Sequence, residues 1–208
     1  MFSQTISPDT FRLIEKIKNH PWLRPYYLAG GTALALHLGH RTSMDLDFFT
    51  NSEIEEMTLV DHLRAIGDLR LDRIGEGTVV GNLDGVRISF FRYPYILLDP
   101  LVAWNALNVA SIRDISLMKM VAILQRGSIK DFIDLYFIAH EFKPIEVLIQ
   151  ELSKKYIGVQ FNTNKILRSL CYFEDADKEP MPSMISVCSW PQVKDYFIKE
   201  VNRLSGFL

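Results

Sequence analysis

The chain has 208 residues, 48% hydrophobic and 12% aromatic. That is enough apolar material to bury roughly 70% of the unfolded chain's surface, and too much for a disordered polypeptide. Its 23 basic and 25 acidic residues leave a net charge of −2, which excludes a global basic field for nucleic acid and confines any such contact to a local patch. Cys171 and Cys188 lack metal-ligand spacing, no apolar run approaches the ~20 residues of a membrane span, and the first residues lack a secretory leader pattern. A reducing, cytoplasmic setting with no membrane contact is the expectation.

In chain order, residues 8–19 place Phe11, Leu13, Ile14 and Ile17 at helical spacing behind Ser7 as N-cap, and His20-Pro21 ends the helix. Residues 26–29 read as a short buried strand broken by Gly30-Gly31. Residues 32–38 are good helix formers, and Gly39 is their expected C-terminal stop. A strand is expected over 44–49 and a helix over about 54–66, then strands over 69–74, 78–83 and 86–92. Asp84-Gly85 is a two-residue hairpin signal between the last two. From Asp99-Pro100 onward the pattern reads as helical, with helices expected over 112–126, 129–142, 144–156, 164–173 and 191–204. Residues 179–183 read as a loop. The expected fold is α/β (α+β): a mixed, twisted sheet of four or five strands with helices on one side, then a C-terminal helical bundle. A core over residues 1–100 and a helical region over 101–208 would enclose a cleft.

The chemistry centres on Asp45-Leu46-Asp47. On a strand, positions i and i+2 share a face about 6.5 Å apart. Two carboxylates there repel by about 2–3 kcal/mol at an effective dielectric of roughly 20. A divalent cation relieves this, and hard oxygen donors suit Mg²⁺. Two solvated acids at a strand end would read the same way. Upstream, Gly30-Gly31-Thr32 stands where a strand passes into a helix. Glycines let a ligand approach the backbone, and a helix N-terminus offers free N–H groups to an anion; an ordinary strand–helix turn has the same sequence. The order strand, Gly-Gly-Thr, helix, strand, Asp-x-Asp sets a phosphate cradle beside a metal site, which an NTP with Mg²⁺ requires. Arg41 has the fork geometry for a phosphate, in the loop with His40 and Ser43; loop capping is the alternative. His37 is expected to pack on its helix, and Trp22, Trp104 and Trp190 to be core or interface aromatics.

The run from Leu28 to Phe49 resembles the signature of the AbiEii/AbiGii toxin family of nucleotidyltransferases, within the polymerase-β-like superfamily: Gly-Thr, a spacer, then Asp-x-Asp. Twelve residues separate Thr32 from Asp45. The likeness continues through 85–91, 114–123 and 126–135. It implies a nucleotidyltransferase fold and transfer of NMP from an NTP to an acceptor such as a tRNA 3′ end; a protein serine or threonine hydroxyl is the open alternative. It further implies a toxin of a toxin–antitoxin or phage-defence system, with a cognate antitoxin as partner. Gly30, Arg41, Ser43 and Lys130 are expected to bind the nucleotide; by the resemblance, Gly31 and Thr32 hold the NTP phosphates and Lys119 contacts a phosphate. Asp45 and Asp47 hold Mg²⁺ (or Mn²⁺), and Asp45, Asp47, Lys119 and Asp131 are catalytic, with Asp134 nearby. Without it, Lys119 is a snorkelling lysine and Lys130, Asp131 and Asp134 a helix-start charge cluster. One departure stands out: Ser89 occupies the strand position where related enzymes carry a third carboxylate. It leaves open the alternative of a non-catalytic nucleotide- or protein-binding module on a degenerate scaffold.

Overall fold

The computed structural model describes residues 1–206. A seven-stranded mixed sheet forms its centre. The strands are β1 (Tyr27–Ala29), β2 (Leu46–Thr50), β3 (Leu69–Gly75), β4 (Thr78–Leu83), β5 (Val86–Arg92), β6 (Val102–Trp104) and β7 (Leu107–Val109). Their order across the sheet is β3-β4-β5-β2-β1-β7-β6. β2 runs antiparallel to β1 and parallel to β5. Strands alternate as half-buried strands must: in β2, Leu46 and Phe48 are buried while Asp47 and Phe49 are partly exposed. Phe48 stacks on Phe90 of β5 within the core, ring centroids 5.2 Å apart.

Helices α1 (Pro8–Ile17) and α3 (Glu56–Arg64) pack on the sheet. The Ser7 hydroxyl accepts from Thr10 N at 3.1 Å, so the expected cap is present. Helix α2 (Gly30–Leu38) begins at the two glycines themselves and ends at Gly39, whose φ of 72° provides the left-handed stop. It is buried on all sides, with Thr32, Ala33, Leu34, Ala35 and Leu36 all inaccessible. The second half holds α4 (Ile112–Gln125), α5 (Ile129–Glu141), α6 (Ile145–Lys155), α7 (Thr163–Leu170) and α8 (Trp190–Ser205). Helix α4 packs against α2, α5, α6 and α7, so it is the spine joining the helical layer to the sheet. Lys155 of α6 is locked onto Asp114 of α4 at 2.7 Å, both side chains fully buried. Among the described residues no helix is long and apolar enough to cross a membrane.

Two expectations are corrected. The sheet has seven strands, not four or five, and the region after Asp99-Pro100 is not helical at first. Strands β6 and β7 form a hairpin there, and β7 joins β1 in parallel. Asn105 and Ala106 sit at its turn with φ of 46° and 62°. An alanine in left-handed backbone carries no glycine signal, and strands of three residues show no readable alternation. The Asp84-Gly85 hairpin, at φ of 50° and 86°, has the expected chemistry.

Candidate active site

The cleft between the exposed sheet face and α4, α5 and the α6–α7 connection encloses about 1170 Å³. Gly30, Gly31, Arg41, Ser43, Asp45, Asp47, Lys119, Lys130 and Asp131 all line it. Of the expected nucleotide-site residues, Thr32 alone is set behind the wall. It is 1% exposed, and its hydroxyl is used by Ser43 Oγ at 2.8 Å and by the Asp45 carbonyl. Thr32 ties the helix start to the acid-bearing segment from behind and does not project into the cleft.

The turn and the acids meet because β1 lies beside β2, with Ala29 opposite Asp47. The chain then turns at Gly30 with φ of 67°, and a Cβ there would stand 2.6 Å from Asp47 Oδ2. A Cβ on Gly31 would stand 2.5 Å from Arg41 Nη2. Both glycines are therefore needed for close approach. Helix α2 has no side-chain cap at its start, so its first N–H groups remain available to an anion. Gly30→Ala is expected to lower stability by about 1–2 kcal/mol from the left-handed backbone alone, with displacement of Asp47 in addition. Chemical denaturation measures this, and a variant as stable as the parent would contradict the turn geometry.

Behind the turn lies a buried charge network. Asp134 and Asp131 on α5 are 0% exposed. Arg41 donates to Asp134 through Nε at 2.7 Å and Nη2 at 2.8 Å. His40 Nε2 lies 2.7 Å from the same carboxylate. Lys119 Nζ spans Asp131 at 2.9 Å and Asp134 at 2.7 Å, and Arg126 Nε reaches Asp131 at 2.8 Å. Burial opposes the ionisation of Asp134, but Arg41 and Lys119 outweigh it and hold the pKa well below the usual carboxylate range. Burial likewise opposes charge on Lys119, and Asp131 and Asp134 override it, raising the pKa.

The outcome for the expected site residues is mixed. Arg41 stands directly behind Gly31, yet its fork is committed to Asp134 rather than extended toward a phosphate. Asp131 is neutralised by Lys119 and Arg126, so it orients those cations instead of offering a free carboxylate. His37 packs as expected, with Nε2 2.8 Å from the Ala110 carbonyl. Arg126 was missed by sequence reasoning; its signal was its place five residues before Asp131 at a Gly127 break.

Asp45 and Asp47 differ from these acids. Among the described residues neither has an ion-pair partner within 4.0 Å. Burial, then the charge of Asp45, pushes the pKa of Asp47 up, against the pull of Lys119, Ser89 and Arg126. Ser89 of β5 sits in register beside Asp47. Among the described residues no group of three or more His, Cys, Asp or Glu forms a closed ligand set. Two uncompensated hard-oxygen donors at an open cleft fit a divalent ion that takes its remaining ligands from water and phosphate.

Comparison with known proteins gives the family and the fold. An uncharacterized protein of Aquifex aeolicus is 37% identical over 197 residues, spanning 91% of this chain and 92% of its own. The structure of MenT4, a nucleotidyltransferase toxin from Mycobacterium tuberculosis, aligns with a TM-score of 0.53 at 14% identity, covering 86% of this chain and 75% of its own. At that identity the likeness is one of fold. The family model for the nucleotidyl transferase AbiEii toxin of type IV toxin–antitoxin systems matches residues 12–184. With the glycine turn, the acid pair and this match in hand, the chain belongs to the AbiEii family of nucleotidyltransferase toxins.

Proposed function

We propose that the protein transfers NMP from an NTP to an RNA 3′ end, with tRNA as the acceptor the family resemblance suggests, and that Mg²⁺ held by Asp45 and Asp47 is required. The observation that carries this reading is the uncompensated acid pair abutting the bare N-terminus of α2 inside an open cleft. The N–H groups of Gly30 and Gly31 bind the β- and γ-phosphates, and Arg41, fixed behind Gly31, adds positive charge. Lys119 and Arg126, oriented by Asp131, set a positive field across the cleft from the acids, and Lys130 stands at its rim. The bound ion supplies charge neutralisation at the α-phosphoryl group. The acceptor hydroxyl loses its proton to water, its oxygen forms a bond to the α-phosphorus, the bond from that phosphorus to the bridging oxygen breaks, and pyrophosphate leaves. The protein's contribution is positioning and preorganised charge. A cognate antitoxin would restrain this activity in the cell.

The test is incubation of the protein with α-labelled NTPs, Mg²⁺ and total RNA. Label is expected in an RNA band, and EDTA is expected to abolish it. Label on the protein itself would redirect the acceptor to a side-chain hydroxyl. NTP binding with no label anywhere, under Mg²⁺ and Mn²⁺ alike, would support instead a binding module in which Ser89 marks the loss of catalysis.

A further inference from the structure

Past the acids, the cleft face of the sheet changes character. From Asp45, just before β2, it reads Asp47 and Phe49 along that strand, and along β5 it reads Arg87, Ser89, Phe91, then Tyr93 just beyond the strand. The parallel register puts Asp47 beside Ser89 and Phe49 beside Phe91. The Phe49 and Phe91 ring centroids are 5.4 Å apart, and Tyr93 meets Phe49 edge-on at 5.4 Å. All three are partly exposed and line the same cleft as the acids. One two-residue strand repeat, about 6.5 Å, separates the acid row from the aromatic row. A ribose spans a similar gap between a phosphate and its base.

The α6–α7 connection closes this end. Phe161 packs on Tyr156 at 5.6 Å, and Tyr156 packs on Tyr95 at 4.7 Å. Gln160, next to Phe161, is exposed and lines the cleft. Asn162 spends its side-chain oxygen capping α7, whereas the Gln160 side chain makes no hydrogen bond to any described residue. An amide can donate and accept at once, which is what the edge of a nucleobase presents.

Resting on the reading of the turn and acids as an NTP site, we propose that Phe91, with Phe49 and Tyr93, is the floor on which the base of the incoming nucleotide stacks, and that the Gln160 amide reads that base's edge. Direction supports the incoming nucleotide over the acceptor. From phosphates seated beside the acids, the path back from Asp45 meets the buried Arg41–Asp134 pair. The path forward along β2 meets the open aromatic row. Every base has a π-face, so the floor supplies affinity without choice, and the choice falls to Gln160.

The experiment is calorimetric titration of the full chain, with Mg²⁺, against each of the four NTPs and against inorganic tripolyphosphate, which has phosphates but no base. Phe91→Leu keeps the position apolar; it is expected to weaken NTP binding about fivefold to a hundredfold and leave tripolyphosphate binding unchanged. Gln160→Ala, at an exposed site, is expected to shrink the affinity difference between the best and poorest NTP. Unchanged NTP affinity in Phe91→Leu, or a parallel loss for tripolyphosphate, overturns the assignment. A rise confined to the KM for acceptor RNA assigns the floor to the acceptor's base and overturns it equally. If the unaltered protein binds NTP no better than tripolyphosphate, the aromatic floor fails while the phosphate site stands. If it binds neither, the NTP site itself fails.

Discussion

Asp134→Ala is expected to destabilise the protein by about 3–5 kcal/mol, the loss typical of breaking a buried ion pair from one side. Against a total stability of about 5–15 kcal/mol, that removes from about a fifth of the total to nearly all of it. The reason lies in what the substitution strands. Arg41 is 2% exposed and cannot shed its proton, and its bidentate partner is Asp134. Lys119 keeps Asp131 but loses its 2.7 Å contact. His40 loses the carboxylate beside Nε2. The loop carrying Arg41 also packs behind Gly31, so the phosphate turn goes with it. Combining Asp134→Ala with Arg41→Met should recover part of the loss, because the stranded cation is then gone. Urea denaturation reads both. An Asp134→Ala protein within ~1 kcal/mol of the parent would mean that water, not Asp134, satisfies Arg41. The pH dependence has a definite sign. The folded pKa of Asp134 is depressed, so its stabilisation is fully present above the unfolded value of about 3.9 and is lost as pH falls through the folded value. The neutral range should therefore be flat for this group, with loss confined to acid conditions.

Much of this site was legible in the residues, for identifiable reasons. Gly30-Gly31 and Asp45-x-Asp47 are local patterns, and the strand period that puts both acids on one face needs no tertiary information. The Asp84-Gly85 hairpin and the Ser7 cap are equally local. What escaped was set by contacts across the chain. Nothing near Arg41 announces that its partner is Asp134, far along the chain on α5. A phosphate-seeking arginine and a salt-bridged one look the same in sequence. The same holds for Asp131, which the resemblance offers as a catalytic acid and which the fold buries between Lys119 and Arg126. Thr32 belongs here too: a hydroxyl at a helix start reads as a ligand group until the carbonyl of Asp45 is found to accept from it. Strands β6 and β7 were lost because three residues carry no period and their turn has alanine where glycine would have signalled. The aromatic row at Phe49 and Phe91 was visible only as strand residues; the parallel β2–β5 register is what lines it up with the acids.

Asp47→Asn is expected to lower nucleotide transfer by at least about 10²–10³-fold, the range for removing one preorganised electrostatic contact to a developing charge, while raising the stability of the metal-free protein. The two effects share one cause. Asp47 is a half-buried carboxylate beside Asp45, without an ion-pair partner among the described residues. Burial and that neighbour raise its folded pKa, so the folded state holds a proton more tightly than the unfolded chain. For such a group stability falls as pH rises through the interval between the unfolded and folded values, and the ionised form is a burden at neutral pH. An amide of the same shape removes the repulsion and the oxygen charge together. Divalent ion should therefore raise the Tm of the parent protein at pH 7 and leave that of Asp47→Asn nearly unmoved, because binding to the folded state alone is what shifts the midpoint. In register beside Asp47, Ser89 offers a neutral hydroxyl where a third carboxylate would bind metal more firmly but repel the other two. Asp47→Asn thus removes half of the site's acidic charge rather than a third, and activity surviving it within tenfold would mean that the ion is held elsewhere.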